Sequence, residues 1–175
     1  MTARGPVVVL VGPPGSGKTT VGKGVADAVA LPFRDTDADI VATAGKAISA
    51  IFTEDGEPAF RAAEERAVRI ALDEHAGVLA LGGGAVLSAE TRARLAGHPV
   101  VFLNVGLAEG LRRTGLSVAR PLLAGVNPRA TFRQLLEARL PLYRAVARVE
   151  VITDRRAPGQ VVREVLDALG LGGTA

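Results

Sequence analysis

The octapeptide Gly12-Pro13-Pro14-Gly15-Ser16-Gly17-Lys18-Thr19 matches the pattern G-x-x-x-x-G-K-(S/T), and with its flanks it constrains the fold more than any other part of the chain. Residues 6–11 are mostly aliphatic, are bounded by Gly5 and Gly12, and read as a fully buried strand. Residues 18–30 read as a helix with Val21, Val25, Ala28 and Val29 on one face. A strand, a glycine-rich turn and a helix in that order form a cradle for phosphate. The glycines let backbone N–H groups converge, and the helix start adds the positive end of its dipole. Gly15, Ser16, Gly17, Lys18, Thr19 and Thr20 are therefore candidate contacts to a nucleoside triphosphate. Lys18 is placed to reach the outer phosphates, and the Thr19 hydroxyl to hold Mg²⁺. The chain has three lysines, the others being Lys23 and Lys46, so the match does not arise from a lysine-rich composition.

Beyond this turn, strand and helix signals alternate. Strands are expected at 33–36, 78–81, 99–104 and 149–153, and helices at 88–96, 106–114, 131–147 and 159–169. Alternation of this kind predicts an α/β fold, a three-layer sandwich in which a five-stranded parallel sheet carries helices on both faces. Hydrophobic residues make up 48% of the chain and aromatics 3%, so the core must be aliphatic, which suits helices on a buried sheet. A length of 175 residues fits one domain over 1–175. Within it, residues 37–75 carry helical signals only: a short helix at 37–44, a helical piece at 47–53, a turn at Asp55-Gly56 and a long helix through Leu72. They read as a helical insertion between strands. Residues 115–128 contain Gly and Pro breakers and read as a mobile lid, and 170–175 as a frayed tail.

Composition excludes several classes. There is no cysteine, hence no disulfide, thiolate metal site or cysteine nucleophile. The two histidines, His75 and His98, are far apart and read as structural. The net charge is +3, but the basic residues are scattered, so no nucleic-acid partner is expected. No stretch approaches the roughly twenty apolar residues of a membrane helix, and none resembles a signal-peptide core, so a cytoplasmic protein without a membrane partner is expected.

Asp35 and Asp37 lie two apart at the end of the second strand, where alternation directs both to one side and Thr36 to the other. Ligands of open α/β sheets bind beyond the carboxyl ends of the strands. One of the two can then help hold the metal and the other take a proton or hydrogen bond from an acceptor hydroxyl. The alternative is an Asp-Thr-Asp turn in which Asp37 caps the next helix. Arg139 falls within an apolar stripe formed by Phe132, Leu135, Leu136, Leu140, Tyr143 and Val146, with no acidic neighbour on its own helix. An inward-facing charge needs a partner, which a ligand carboxylate can supply in a bidentate pair; a tertiary salt bridge or a snorkelling side chain would also serve. Arg61 has Glu64 and Glu65 at i+3 and i+4, which an ordinary helix ion pair explains. Gly82-Gly83-Gly84, after the third strand, is either a flexible turn or a backbone surface that a small polar substrate can approach closely.

The phosphate turn, Asp35-Thr36-Asp37 and Gly82-Gly83-Gly84, in this order, resemble the shikimate kinase family over nearly the whole chain. Further marks are Phe60-Arg61, Arg113, Arg120-Pro121-Leu122, and Arg139 followed by Pro141-Leu142-Tyr143. The resemblance implies phosphoryl transfer from ATP, with Mg²⁺ held in part by Asp35, to the 3-hydroxyl of shikimate; a monomer is the default expectation. It implies that Phe60, Arg61, Gly82, Gly83, Gly84 and Arg139 bind shikimate with Asp37. Arg113 and Pro158 would sandwich the adenine, and Arg120 would close the lid over the phosphates as a catalytic group beside Lys18 and Asp37. On pattern alone Arg120 is a loop arginine, Arg113 a helix-end arginine and Pro158 a loop-to-helix proline. The rivals are another small-molecule kinase, such as a gluconate or nucleoside monophosphate kinase, and a catalytically silent nucleotide-binding module. The Asp-Thr-Asp, Gly-Gly-Gly and Phe-Arg combination argues against the first, and intact Lys18, Thr19, Asp35 and Asp37 against the second.

Overall fold

The computed structural model describes residues 5–114 and 127–173. Arg120, Pro121, Leu122 and most of the expected lid fall outside them. Five strands form one parallel sheet in the order β2-β3-β1-β4-β5: β1 (Val8–Val11), β2 (Phe33–Asp35), β3 (Val78–Ala80), β4 (Val100–Asn104) and β5 (Val149–Ile152). β1 is central, with Leu10 aligned to Ala80 of β3 and to Val101 of β4.

The side chains of β1 alternate between two cores, as a strand covered on both faces requires. Val8 and Leu10 pack with Val21 and Val25 of α1 (Lys18–Val29) and with Val161 and Val165 of α8 (Pro158–Ala168). Val9 and Val11 pack with Val68 and Leu72 of α4 (Glu57–Glu74), Leu95 of α5 (Ala89–Leu95) and Tyr143 of α7 (Pro128–Val146). Each buried Val or Leu contributes roughly 1.5–3 kcal/mol, so this sheet is the rigid frame and the site loops ride on its carboxyl edge. The three-layer expectation holds, with Ala28 exposed and Ala26 buried in its stead on α1.

Between β2 and β3 the chain is helical: α2 (Thr36–Ala44), α3 (Ile48–Asp55) and α4. These helices share a small core of Ile40, Ile51 and Phe60. The remaining helix, α6 (Leu107–Thr114), follows β4. Helix α7 starts one turn earlier than the apolar pattern predicts. Asn127 caps it by accepting from the Ala130 N–H, and Pro128 takes the first helical position, where its missing N–H costs nothing. The chain end is also more ordered than expected as far as residue 173. Gly170 turns in the left-handed region, and the Leu171 N–H returns to the Leu166 carbonyl.

Candidate active site

The loops after β1, β2 and β3 meet at one end of the sheet. Pro14, Gly15, Gly17, Lys18, Thr19, Thr20, Asp35, Asp37 and Gly83 line a single cavity of about 350 Å³. Lys18 arches back over its loop, donating to the Gly12 carbonyl at 2.7 Å and the Pro13 carbonyl at 3.1 Å. The loop leaves no room for a side chain at position 12: a Cβ there would lie 2.4 Å from the Leu103 carbonyl oxygen and 2.9 Å from Ser16 Oγ. Ser16 is fully buried, and its hydroxyl has no hydrogen-bond partner among the described residues, as suits a donor meant for a ligand oxygen.

The two aspartates reach this cavity by a route other than strand alternation. β2 ends at Asp35, which is the N-cap of α2 and accepts from the Asp37 N–H at 2.9 Å. Asp37 stands in the first turn of the helix. Thr36 is buried and receives the Gly82 N–H on its hydroxyl at 3.3 Å, tying the start of α2 to the glycine triplet. The capping turn and the cavity-facing carboxylates are therefore one arrangement, with Asp35 and not Asp37 as the cap. Among the described residues no group of three or more His, Asp or Glu is arranged around a metal. A hydroxyl and a carboxylate on one cavity nevertheless fit Mg²⁺, which favours hard oxygens and usually keeps water and phosphate in its shell.

A second cavity of about 340 Å³ adjoins the first through Gly17, Thr20 and Arg113, and Pro158 and Thr153 line it with Ser16 and Val21. Arg113 is held on several sides. It donates to Glu109 Oε1 at 3.0 Å, to the Gly15 carbonyl at 3.2 Å, to Thr153 Oγ1 at 3.0 Å and to the Thr153 carbonyl at 2.8 Å. Arg112 and Arg113 hold the Glu109 carboxyl down at about 2, with Arg112 the larger cause. Arg113 thus bridges the phosphate loop and the segment after β5.

On the other side of Asp37 lies a buried polar cluster. A Cβ at Gly82 would stand 2.6 Å from Asp37 Oδ1 and 2.8 Å from Glu64 Oε2, so these two carboxylates flank the same glycine. Arg61 donates to Glu64 at 2.7 Å and lies over the Phe60 ring, 5.2 Å from its centroid, and near Phe52 at 6.0 Å. Burial pushes the Glu64 carboxyl above the usual range, opposed by the charges of Arg61 and Arg139. Arg139 is buried, and Tyr143 one turn along α7 donates its hydroxyl to the Gly83 carbonyl at 2.5 Å. Burial raises that phenol to about 12.

All the sequence-derived candidates within the described residues thus gather along one edge of the sheet. Glu64, Phe52, Tyr143 and Thr153 belong to the same surroundings and were not among them. Glu64 carried a signal, since it continues the buried stripe Phe60, Val68, Leu72 of α4. A cavity of about 370 Å³ between α2 and α4, lined by Ala44, Ala63, Ala67 and Ile70 among others, includes none of the candidates.

The family model for shikimate kinase matches residues 14–170. A shikimate kinase of Saccharopolyspora erythraea is 65% identical over 162 residues, covering 93% of this chain and 93% of that protein. This chain belongs to the shikimate kinase family. Membership makes it an ATP-dependent kinase of the shikimate pathway. The solved structure of the shikimate kinase from Acinetobacter baumannii in complex with shikimate is similar with a TM-score of 0.90 at 36% identity, covering 95% of this chain and 93% of that one. A gluconokinase from Sinorhizobium meliloti, with a TM-score of 0.52 at 20% identity over 94% of this chain and 91% of that one, shares the fold alone.

Proposed function

We propose that the chain moves the γ-phosphoryl group of ATP to the 3-hydroxyl of shikimate, giving shikimate 3-phosphate and ADP. The observation that carries this reading is the shared cavity. Asp37, the candidate partner of the acceptor hydroxyl, lines the same space as Lys18 and Thr19, and its other side borders the Glu64–Arg61 pair. The A. baumannii structure that this fold matches holds shikimate. In the reaction the hydroxyl oxygen bonds to the γ-phosphorus, the bond to the β,γ-bridging oxygen breaks, and the proton passes to Asp37. Lys18 balances charge on the outer phosphates. Thr19 and Asp35 would hold Mg²⁺, whose chemistry is to neutralise phosphate charge. Arg61 and Arg139 bind the carboxylate of shikimate, Gly82 to Gly84 approach its ring, and Phe60 supports Arg61. Gly15 to Thr20, Arg113 and Pro158 bind the nucleotide, and Arg120, which lies outside the described residues, adds positive charge at the transferring phosphoryl group.

The working unit in this reading is a cytoplasmic monomer without nucleic-acid or membrane partners. Among the described residues no helix is long and apolar enough to cross a membrane. Incubation with shikimate and Mg-ATP followed by ³¹P NMR tests the reading. A new phosphomonoester that co-migrates with shikimate 3-phosphate is the expected result. Free phosphate alone, or a phosphomonoester on another carbon, would sink it.

A further inference from the structure

We propose that Asp154 is a positioning residue for the nucleotide: its carboxylate seats the start of α6 and so fixes where that helix and its Arg113 meet the phosphate loop. The inference rests on the nucleotide site of the reading above and not on the identity of the acceptor. Asp154 lies two residues past the end of β5, and both of its carboxylate oxygens accept from one backbone N–H, that of Gly106, at 2.9 and 3.2 Å. Gly106 stands just before α6, and its carbonyl accepts the Gly110 N–H at 2.9 Å. The first N–H groups of a helix have no partner within it, and Asp154 supplies one from another element, with a charge that suits the positive end of the helix. The fit is close, since a Cβ on Gly106 would lie 2.9 Å from Asp154 Oδ2.

The neighbouring residue, Thr153, holds the other end of the same helix. Its hydroxyl and its carbonyl accept from Arg113 at 3.0 and 2.8 Å. Two consecutive residues after β5 therefore grip α6 just before its first residue and at its last but one. Between those points the helix lies directly on the phosphate loop. A Cβ on Gly15 would stand 2.9 Å from the Gly110 carbonyl oxygen and 3.0 Å from Thr114 Cγ2, and Arg113 donates to the Gly15 carbonyl at 3.2 Å. A swing of the α6 start is thus passed on to Gly15 and to the Arg113 guanidinium, which line the nucleotide cavities. Asp154 itself lines neither cavity, so it acts through α6 and not on the ligand.

The test is Asp154→Ala beside Asp154→Asn, by calorimetry with Mg-ADP, initial rates with each substrate varied, and thermal melting. The alanine variant is expected to fold and to melt within about 4 °C of the wild type. It is expected to weaken Mg-ADP binding and raise the KM for ATP about fivefold, the scale of one hydrogen bond, with the KM for shikimate changed less than about twofold. The asparagine variant keeps an acceptor oxygen for the single Gly106 N–H and is expected to return both nucleotide values to within about twofold of the wild type. Unchanged Mg-ADP binding in Asp154→Ala, equal rises in both KM values, or an asparagine variant no better than the alanine one would each overturn the proposal. If the wild-type chain binds Mg-ADP, such a result removes this inference only. If the wild type does not bind it, the nucleotide site itself is misassigned and this inference falls with it.

Discussion

Arg61 Nη1 stands 2.7 Å from Glu64 Oε1, and Glu64, only 3% exposed, shares its cluster with a second arginine, the buried Arg139. A carboxylate is thus built into the site proposed to bind a carboxylate. Removing one member of a buried pair leaves its partner uncompensated, which is costly, so Glu64 is held as firmly by the arginines as they are by it.

This pair sets a pH dependence. Burial raises the Glu64 carboxyl above its ordinary value of 4.5. A carboxyl that binds its proton more tightly when folded favours the folded state at low pH, and that contribution is lost as pH rises through the raised value. Urea denaturation of the wild type and Glu64→Gln from about pH 4 to about pH 8 is expected to show the wild type losing stability relative to the variant as pH rises. A gain with rising pH would mean that pairing with the arginines outweighs burial.

Gly84 gives a test that hardly touches the core. A methyl group there would lie 2.1 Å from Arg61 Nη1 and 2.6 Å from its Cζ. The end of an arginine can swing away, but here it leaves the buried Glu64 carboxylate behind, so Gly84→Ala is expected to cost about 1–3 kcal/mol in stability. The displaced guanidinium is expected to raise the KM for shikimate about tenfold or more while the KM for ATP stays near the wild-type value. Calorimetry and initial rates check both halves, and an unchanged shikimate KM would remove Arg61 from the substrate site.

Thr153 supports the nucleotide side. Its buried hydroxyl accepts from Arg113 at 3.0 Å and donates to the Asn104 carbonyl at 3.2 Å. Thr153→Val is expected to raise the KM for ATP about fivefold without moving that for shikimate, and Thr153→Ser to restore it. Equal effects of Val and Ser would mean that packing, and not the hydroxyl, matters there.

Asp37 carries the proton step. Asp37→Asn keeps the shape and the first turn of α2, so nucleotide binding by calorimetry is expected to stay within about threefold. Turnover is expected to fall by about 10²–10⁴, the usual range for a lost general base. A fall below about tenfold would reduce Asp37 to an orienting group.

The parallel sheet and the phosphate loop were legible because each rests on local pattern: a buried run, a glycine-rich turn and a helix start. Arg139 was legible for a related reason, as a charge within the apolar stripe of α7. Tyr143 lies on the same stripe and reads as core by pattern, since periodicity reports burial and not where a polar tip ends. Thr153 could not be recognised, because its partners are brought together by the pairing of β4 with β5 and by α6. The Asp35–Asp37 pair was recognised with the wrong local geometry. The strand ends one residue early, and the cap at Asp35 turns Asp37 onto a helix that still faces the same cavity.

The most direct measurement of the central claim is ADP release from Mg-ATP by the purified chain with shikimate, gluconate or AMP as acceptor. Strong stimulation by shikimate alone, lost in Asp37→Asn, is predicted. No stimulation by shikimate, or a larger response to gluconate or AMP, would contradict the assignment of the acceptor.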